Sequence, residues 1–310
     1  MIIHPGFVGI DISKNRLDVF DATTGRSEQW ANAAEAIASL VERLRASGTK
    51  LVVFEATGRY DTHLRMAFAA AGVDFARVNP ARARDFARSL GLLAKTDAID
   101  ARMLAAMGQS LELEGHPAAD PERERLALLH KRRDQLVATR KQEQTRLAEA
   151  TADTCDSLNA HLAWLDEAIA GIDLLIAKLI ARHAELEAAR KLMCSVPGIG
   201  PVTSTTLLAL MPELGARSHK TIAALAGLAP FNCDSGQARG TRQIQGGRRR
   251  VRQALYMAAV SVSRSKSRFA EAYRALRQAG KPAKLALVAI ARKLLVTLNA
   301  IIRDEVPFHA

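Results

Sequence analysis

Short apolar runs alternate with amphipathic stretches through the first third of the chain, and their spacing sets the expected elements. Phe7-Val8-Gly9-Ile10, continued by Ile12, reads as a strand, and Ser13-Lys14-Asn15 reads as a turn. Arg16-Leu17-Asp18-Val19-Phe20 alternates polar and apolar like a half-exposed partner strand. Asn32 to Ala46 predicts a helix and Leu51 to Phe54 a strand. Tyr60 to Ala71 predicts a second helix, and Asp74 to Val78 a strand ending at Asn79-Pro80. An opening hairpin followed by alternating helices and strands implies a mixed α/β sheet.

From Pro121 to Arg190 the pattern changes to long helices, almost free of Gly and Pro. Leu158, Leu162, Leu165, Ile169, Ile172, Ile176 and Leu179 recur at alternating spacings of four and three, which makes a heptad seam. With the more charged helix Glu122 to Ala150 it predicts an antiparallel hairpin. One seam does not name its own partner, so an intramolecular arm and a dimerisation coiled coil both fit. Beyond Arg190, Ser195-Val196-Pro197-Gly198-Ile199-Gly200-Pro201 predicts a tight turn before the helix Val202 to Met211. The apolar helix Thr221 to Leu228 and the helix Arg249 to Val262 bracket a glycine-rich polar loop that contains Ser235-Gly236.

Composition adds a partner class. The 310 residues carry 44 Lys+Arg against 32 Asp+Glu, a net charge of +12, which points to a polyanion. The excess is C-terminal, since only Asp234 and Glu271 are acidic between Arg217 and Arg303. No apolar run reads as long enough to span a bilayer, and the first residues lack the pattern of a secretory signal, so a cytoplasmic protein without membrane contact is expected. Cys155, Cys194 and Cys233 are widely spaced and support neither a disulfide framework nor a zinc site.

Candidate chemistry sits on four acids. Asp11 and Glu55 each close an apolar strand run, while Asp97 and Asp100 lie three apart and share a helix face. Such oxygen donors select Mg²⁺ or Mn²⁺, and paired ions can stabilise both the attacking and the leaving oxygen of a phosphoryl displacement. Taken singly, each acid is more often a strand-end residue or a helix cap, so the case rests on the set. Gly198 and Gly200 either offer backbone N–H groups to a phosphate or simply join two helices. Ser235 is either a turn residue or a nucleophile whose phosphate is held by Arg239, Arg242, Arg248, Arg249 and Arg250.

Five ordered segments resemble a known family. They are Val8-Gly9-Ile10-Asp11, Phe54-Glu55-Ala56-Thr57-Gly58, Lys95 to Arg102, Val196-Pro197-Gly198-Ile199-Gly200, and Gly227-Leu228-Ala229-Pro230 to Ser235-Gly236 with its arginine-rich sequel. Together they resemble the DEDD transposases of bacterial insertion sequences in the family numbered one hundred and ten, with the related Piv-type DNA invertases. The resemblance implies a RuvC-like domain of ribonuclease H fold over residues 1–118, a coiled-coil helical region over 119–190 and a helical transposase domain over 191–310. It implies a metal-binding tetrad at Asp11, Glu55, Asp97 and Asp100, and a DNA-attacking nucleophile at Ser235. It also implies donor and target DNA, a noncoding bridge RNA that guides the reaction, and a homo-oligomer built as a dimer of dimers. A RuvC-like structure-specific endonuclease, cutting with metal-activated water, is the alternative.

Overall fold

A computed structural model describes residues 2–58, 60–91, 97–115, 120–231 and 243–309, with the side chains of residues 97–99 also left out. Asp97 is thus described through its backbone alone. Ser235, Arg239, Arg242 and Cys233 lie outside the described residues. The chain divides into two compact units, Met1–Asp120 and Pro121–Ala310.

The first unit opens as a meander of β1 (Phe7–Ile12), β2 (Arg16–Asp21) and β3 (Arg26–Ala31), all antiparallel. Helix α1 (Ala34–Ala46) leads to β4 (Leu51–Glu55), α2 (Thr62–Ala71) to β5 (Phe75–Val78), and α3 (Pro80–Ser89) precedes α4 (Asp97–Ser110). β4 lies parallel to β1 and β5 parallel to β4, giving the order β3-β2-β1-β4-β5. This mixed sheet is consistent with the ribonuclease H-like arrangement implied above.

The period of two along each strand sorts the side chains onto opposite faces. Val8, Ile10, Leu17, Val19, Val52 and Phe54 bury against Ile37, Leu40 and Leu44 of α1 and Leu64 and Phe68 of α2. On the other face Leu51, Val53, Ala76 and Val78 meet Met103, Leu104 and Met107 of α4. Because α4 covers this second face, β2 is not half-exposed as its alternation predicts. Every residue from Leu17 to Asp21 is buried, including Asp18 and Asp21.

The second unit is mainly helical. Its elements are α5 (Pro121–Leu147), α6 (Ala152–Arg182), α7 (Ala184–Cys194), α8 (Pro201–Leu210) and α9 (His219–Leu225), then the short strands β6 (Pro230–Phe231) and β7 (Gln243–Ile244). The helices α10 (Arg249–Val262), α11 (Arg268–Gln278) and α12 (Ala283–Asp304) complete it. Helices α5 and α6 run antiparallel, since Arg133 pairs with Asp173 and Arg140 with Asp166. The heptad seam therefore finds a partner inside its own chain, with Leu165, Ile176 and Leu179 buried.

One expectation needs correction. Helix α12, at 22 residues, is long and apolar enough by composition to cross a bilayer, contrary to the sequence reading. Lys284, Arg292, Lys293 and Arg303 break it visually into shorter runs, yet an 18-residue window keeps a mean hydropathy of 2.0. Half of that window is buried within the structure, where Ile290, Leu294, Leu295 and Leu298 form the centre of the second unit's core.

Candidate active site

In the first unit, backbone geometry brings the acids to one edge. β1 and β4 are parallel, with Gly9 opposite Val53 and Ile10 opposite Phe54. Continuing that register sets Asp11 beside Glu55, where both strands end. Asp11 also pairs across the antiparallel ladder with Asp18, which in turn pairs with Gln29. Side chains in register share a face, so Gln29, Asp18, Asp11 and Glu55 form one row on the side covered by α4.

Gly9 explains how α4 reaches this row. A Cβ there would stand 1.8 Å from the Ala101 carbonyl oxygen and 2.6 Å from the Ala105 nitrogen, so the helix backbone rests directly on the strand. One helical turn or so later, a Cβ on Gly108 would be 2.6 Å from Val53 Cγ2 and 3.3 Å from Phe7 Cδ1. The helix therefore runs opposite to β1, and its first turn, with Asp97 and Asp100, points toward the strand ends that carry Asp11 and Glu55. Positive helix-end charge also favours carboxylates there.

Asp11, Glu55 and Asp100 are all half-buried. An all-oxygen donor set of this kind fits a hard divalent cation in its chemistry. Among the described residues no three His, Cys, Asp or Glu side chains converge as a metal cage, and the fourth acid, Asp97, has its side chain outside them.

Asp18 is the functional candidate that sequence reasoning missed. Its carboxylate accepts from Gln29 Nε2 at 2.8 Å and from Arg16 Nε at 3.1 Å. The signal was present in the sequence, because Asp11 and Asp18 sit symmetrically about the Ser13-Lys14-Asn15 turn. Only the antiparallel register makes them neighbours.

In the second unit two short strands flank the segment that contains Ser235. β6 and β7 pair antiparallel, Pro230 with Ile244 and Phe231 with Gln243, and so bracket residues 232–242. Beneath them two chain segments cross at glycines. Gly227 and Gly247 both have positive φ, and a Cβ on Gly247 would lie 2.1 Å from the Gly227 nitrogen. A side chain fits neither the backbone angle nor the space. Arg252 Nη1 donates to the Gly246 carbonyl at 2.7 Å and ties the crossing to α10.

The arginines that follow are not equivalent. Arg248 forms a bidentate pair with Glu213, both bonds at 2.6 Å. Burial is the largest single influence on Glu213 and raises its pKa, but the Arg248 bonds and charge together hold the carboxyl below its ordinary value. Arg250 grips Asp134 of α5 at 2.5 and 2.7 Å. Arg249, between them, is exposed.

The expected turn has two different glycines. Gly198 has φ +82°, and a Cβ would meet Val262 Cβ at 2.9 Å and the Ala258 oxygen at 3.0 Å, so it seats the turn on α10. Gly200 caps α8 in extended geometry with nothing near its Cβ position, and Pro201 occupies the first helical position. Behind α8, His130 is buried with Nε2 2.9 Å from Thr206 Oγ1. The Thr206 hydroxyl donates to the Val202 carbonyl, so the imidazole donates to Thr206. Burial lowers the His130 pKa, against the opposing pull of Asp134. A cavity of about 480 Å³ beside it exposes Arg133 and Arg190, but these already pair with Asp173 and Glu187. It is therefore a poor anion site.

Comparisons with known proteins show the family to which the chain belongs. A transposase profile for DEDD enzymes of the IS110 group matches residues 8–154, and a second, described as "Transposase IS116/IS110/IS902 family", matches residues 190–274. A pilin gene-inverting protein of Moraxella lacunata is 32% identical over 316 residues, covering 97% of both chains. Its counterpart in Moraxella bovis is 32% identical over 319 residues with the same coverage. A 42 kDa uncharacterised protein of insertion element IS900 from Mycobacterium paratuberculosis is 31% identical over 148 residues, which is 47% of this chain and 36% of that protein.

Proposed function

This chain belongs to the IS116/IS110/IS902 transposase family, and we propose that it cuts and rejoins DNA as an RNA-guided recombinase using a covalent serine-DNA intermediate. Membership implies a DNA-cleaving recombinase, either a transposase or an invertase. The finer reading assigns the parts. Asp11, Glu55, Asp97 and Asp100 would hold Mg²⁺ or Mn²⁺, and Ser235 would attack DNA. The observation that carries it is the Gly9 crossing, which sets the first turn of α4 at the strand ends bearing Asp11 and Glu55.

A simple nuclease needs no serine, because water suffices. A recombinase must keep the energy of the cleaved phosphodiester until a new strand arrives. Ser235 Oγ would form a bond to phosphorus as the sugar oxygen leaves, and the serine proton would pass to that leaving oxygen. Attack by a second strand's hydroxyl then frees serine and restores a DNA phosphodiester, with no net change in bond count. The bound metal would supply Lewis-acid stabilisation of the charge that develops on the phosphate. The carboxylates would hold and orient that ion, and the glycine crossing with the β6–β7 ladder fixes the chain on either side of residues 232–242.

A noncoding bridge RNA would read donor and target by base pairing, which leaves the protein to grip backbones. The basic excess from Arg217 to Arg303 supports such a partner. Functionally the chain then reads as a carboxylate module at 1–118, a helical arm at 119–190 and a serine module at 191–310. In an assembly of copies, the carboxylates of one subunit would serve the serine of another.

The experiment traps the reaction under denaturing conditions and maps any DNA-linked peptide. Loss of both adduct and cleavage in Ser235→Ala, with DNA binding intact, is the expected result. Cleavage by that variant in Mg²⁺ would transfer the chemistry to water and favour a RuvC-like endonuclease.

A further inference from the structure

From Gln243 to Ala270 the chain holds seven Lys and Arg and no Asp or Glu. Four of the seven are engaged within the fold. Arg248 and Arg250 pair with Glu213 and Asp134, Arg252 donates to the Gly246 carbonyl, and Arg268 lies 4.3 Å from the centre of the Phe308 ring. Arg249, Arg264 and Lys266 are left. All three are exposed, and among the described residues none of their side chains meets an acid, a hydrogen-bond acceptor or an aromatic ring.

Helix geometry sets two of these cations at the ends of one exposed row. Val251, Ala254, Leu255, Ala258, Ala259 and Val262 turn the other side of α10 into the core. Arg249, Gln253, Met257 and Ser261 are exposed at spacings of four, and Arg264 follows three later, so all five share a face. The path stays helical to that point, since Ser263 N donates to the Ala259 carbonyl at 3.0 Å and Arg264 N to the Ser261 carbonyl at 3.3 Å. At 1.5 Å per residue the row runs about 22 Å from Arg249 to Arg264. Met257, at its middle, is 62% exposed, an apolar side chain outside the core.

The turn after α10 holds its cations outward by spending its serines inward. Ser263-Arg264-Ser265-Lys266-Ser267-Arg268 alternates half-buried serines with exposed basic residues. Ser263 Oγ donates to the Val260 carbonyl and Ser265 Oγ to the Val262 carbonyl, both at 2.8 Å, while Ser267 Oγ caps α11 by accepting from Ala270 N. The backbone that carries Arg264 and Lys266 is thus fixed without any contribution from their side chains.

Charge and shape together select the partner. Free cations at both ends, an uncharged middle and no acid along the row complement a polyanion long enough to reach both ends. A helix face fits the major groove of B-DNA, about 12 Å wide, whereas the narrow major groove of A-form RNA excludes it. We propose that the exposed face of α10 docks on duplex DNA beside the strand that reacts, with Arg249 at one end, Arg264 and Lys266 at the other, all on phosphates, and Met257 toward the groove. The inference rests on the reading that DNA reacts at Ser235, because α10 begins just past β7, which borders residues 232–242.

The test titrates the full-length protein against a fluorescein-labelled DNA duplex of random sequence, about 30 base pairs long, between about 50 and 200 mM salt. Arg249→Ala with Arg264→Ala should weaken binding roughly tenfold or more and flatten the log-log salt slope by about 0.9 per lost contact. Lys281→Ala with Lys284→Ala removes the same charge from exposed residues outside α10 and should weaken binding less than about threefold. Equal losses in the two pairs would mean diffuse attraction and overturn the docking face. Met257→Glu sets a like charge against the phosphates and should also cost roughly tenfold, with the melting temperature unchanged. Met257→Leu should bind like wild type, and so should Leu285→Glu, the same charge change at an exposed residue of α12. Wild-type binding by Met257→Glu overturns the groove contact.

An RNA hairpin of similar length, used in place of the duplex, tests the source. If the Arg249 and Arg264 variant loses the hairpin but keeps the duplex, the face belongs to RNA and the proposal falls. Mapping the DNA-linked peptide separates this failure from failure of the underlying reading. An adduct at Ser235 together with wild-type duplex binding by the row variants removes only the docking face. Cleavage by Ser235→Ala, with duplex binding still weakened in the row variants, removes the serine chemistry and leaves the face.

Discussion

The carboxylate edge and the chain that flanks Ser235 are built in opposite ways. In the first unit the acids ride on the elements themselves. Strand register fixes Asp11 against Glu55, and a helix lying bare on Gly9 fixes Asp100. In the second unit the described residues that flank Ser235 are held by a two-pair ladder and by the crossing of Gly227 and Gly247. A metal site tolerates little error in ligand position.

The largest effect should come from the acids themselves. Asp11→Asn and Asp100→Asn are expected to reduce strand transfer by more than about a thousandfold, since on the proposed reading each change removes a ligand of the ion that would stabilise the transition-state charge. Circular dichroism should show an intact fold, and neutralising one of several clustered acids should not lower the melting temperature. Normal recombination by either variant would refute the tetrad.

Next come the glycines, which separate the two strategies. Gly9→Ala should destabilise the first unit by more than about 3 kcal/mol, because the added carbon meets backbone atoms that have no rotamer to escape into. Gly200→Ala, with open space around it, should cost less than about 1 kcal/mol by thermal melting. Equal costs would mean that α4 does not rest on β1 as described.

The helical arm gives a middle-sized effect. Ile169→Glu with Ile172→Glu places charge on the half-buried seam facing α5, and should cost about 1 to 3 kcal/mol of stability, read as a lower melting temperature, without changing the mass by light scattering. Loss of assembly without a change in melting would instead put the seam between subunits.

A pH series sharpens the contrast in another way. The His130 pKa is lowered in the folded state, so its neutral form is the native one. The stability linked to it is present above the unfolded value near 6.5 and is lost as pH falls through the lowered folded value. His130→Gln should flatten the drop in melting temperature below about pH 6.5 while leaving pH 8 little changed. A wild-type-like drop would place the acid sensitivity elsewhere. Smallest of all, Arg249→Ala should reduce the salt slope of DNA binding by about 0.7 to 0.9 with no change in melting. Arg248→Ala should do the reverse, costing about 1 kcal/mol by stranding Glu213.

Much of the first unit could be read from the sequence because its strands are apolar runs that end on acids. The bounds of β1, the end of β5 at Val78, and the helices α1 and α2 follow directly from the hydrophobic pattern. β3 did not, because Arg26-Ser27-Glu28-Gln29-Trp30-Ala31 is a polar edge strand held by ladder bonds to β2 rather than by burial. Helix α3 was equally hidden, since Asn79-Pro80 reads as a terminus although Asn79 accepts from Ala81 N and caps a helix. Asp18 was overlooked because alternation placed it on a solvent face, before α4 was known to cover that face. The arginines show the limit of counting charge. Three in a row look alike as letters, yet two are spent on Glu213 and Asp134, neither of which is near them in sequence.

The closed base of the serine segment has one more consequence. A chain whose two ends are already clamped can be lengthened at little entropic cost, about 0.6 kcal/mol for each doubling. Grafts of different length between Phe231 and Gln243 should therefore change the melting temperature of the second unit by no more than that cost implies.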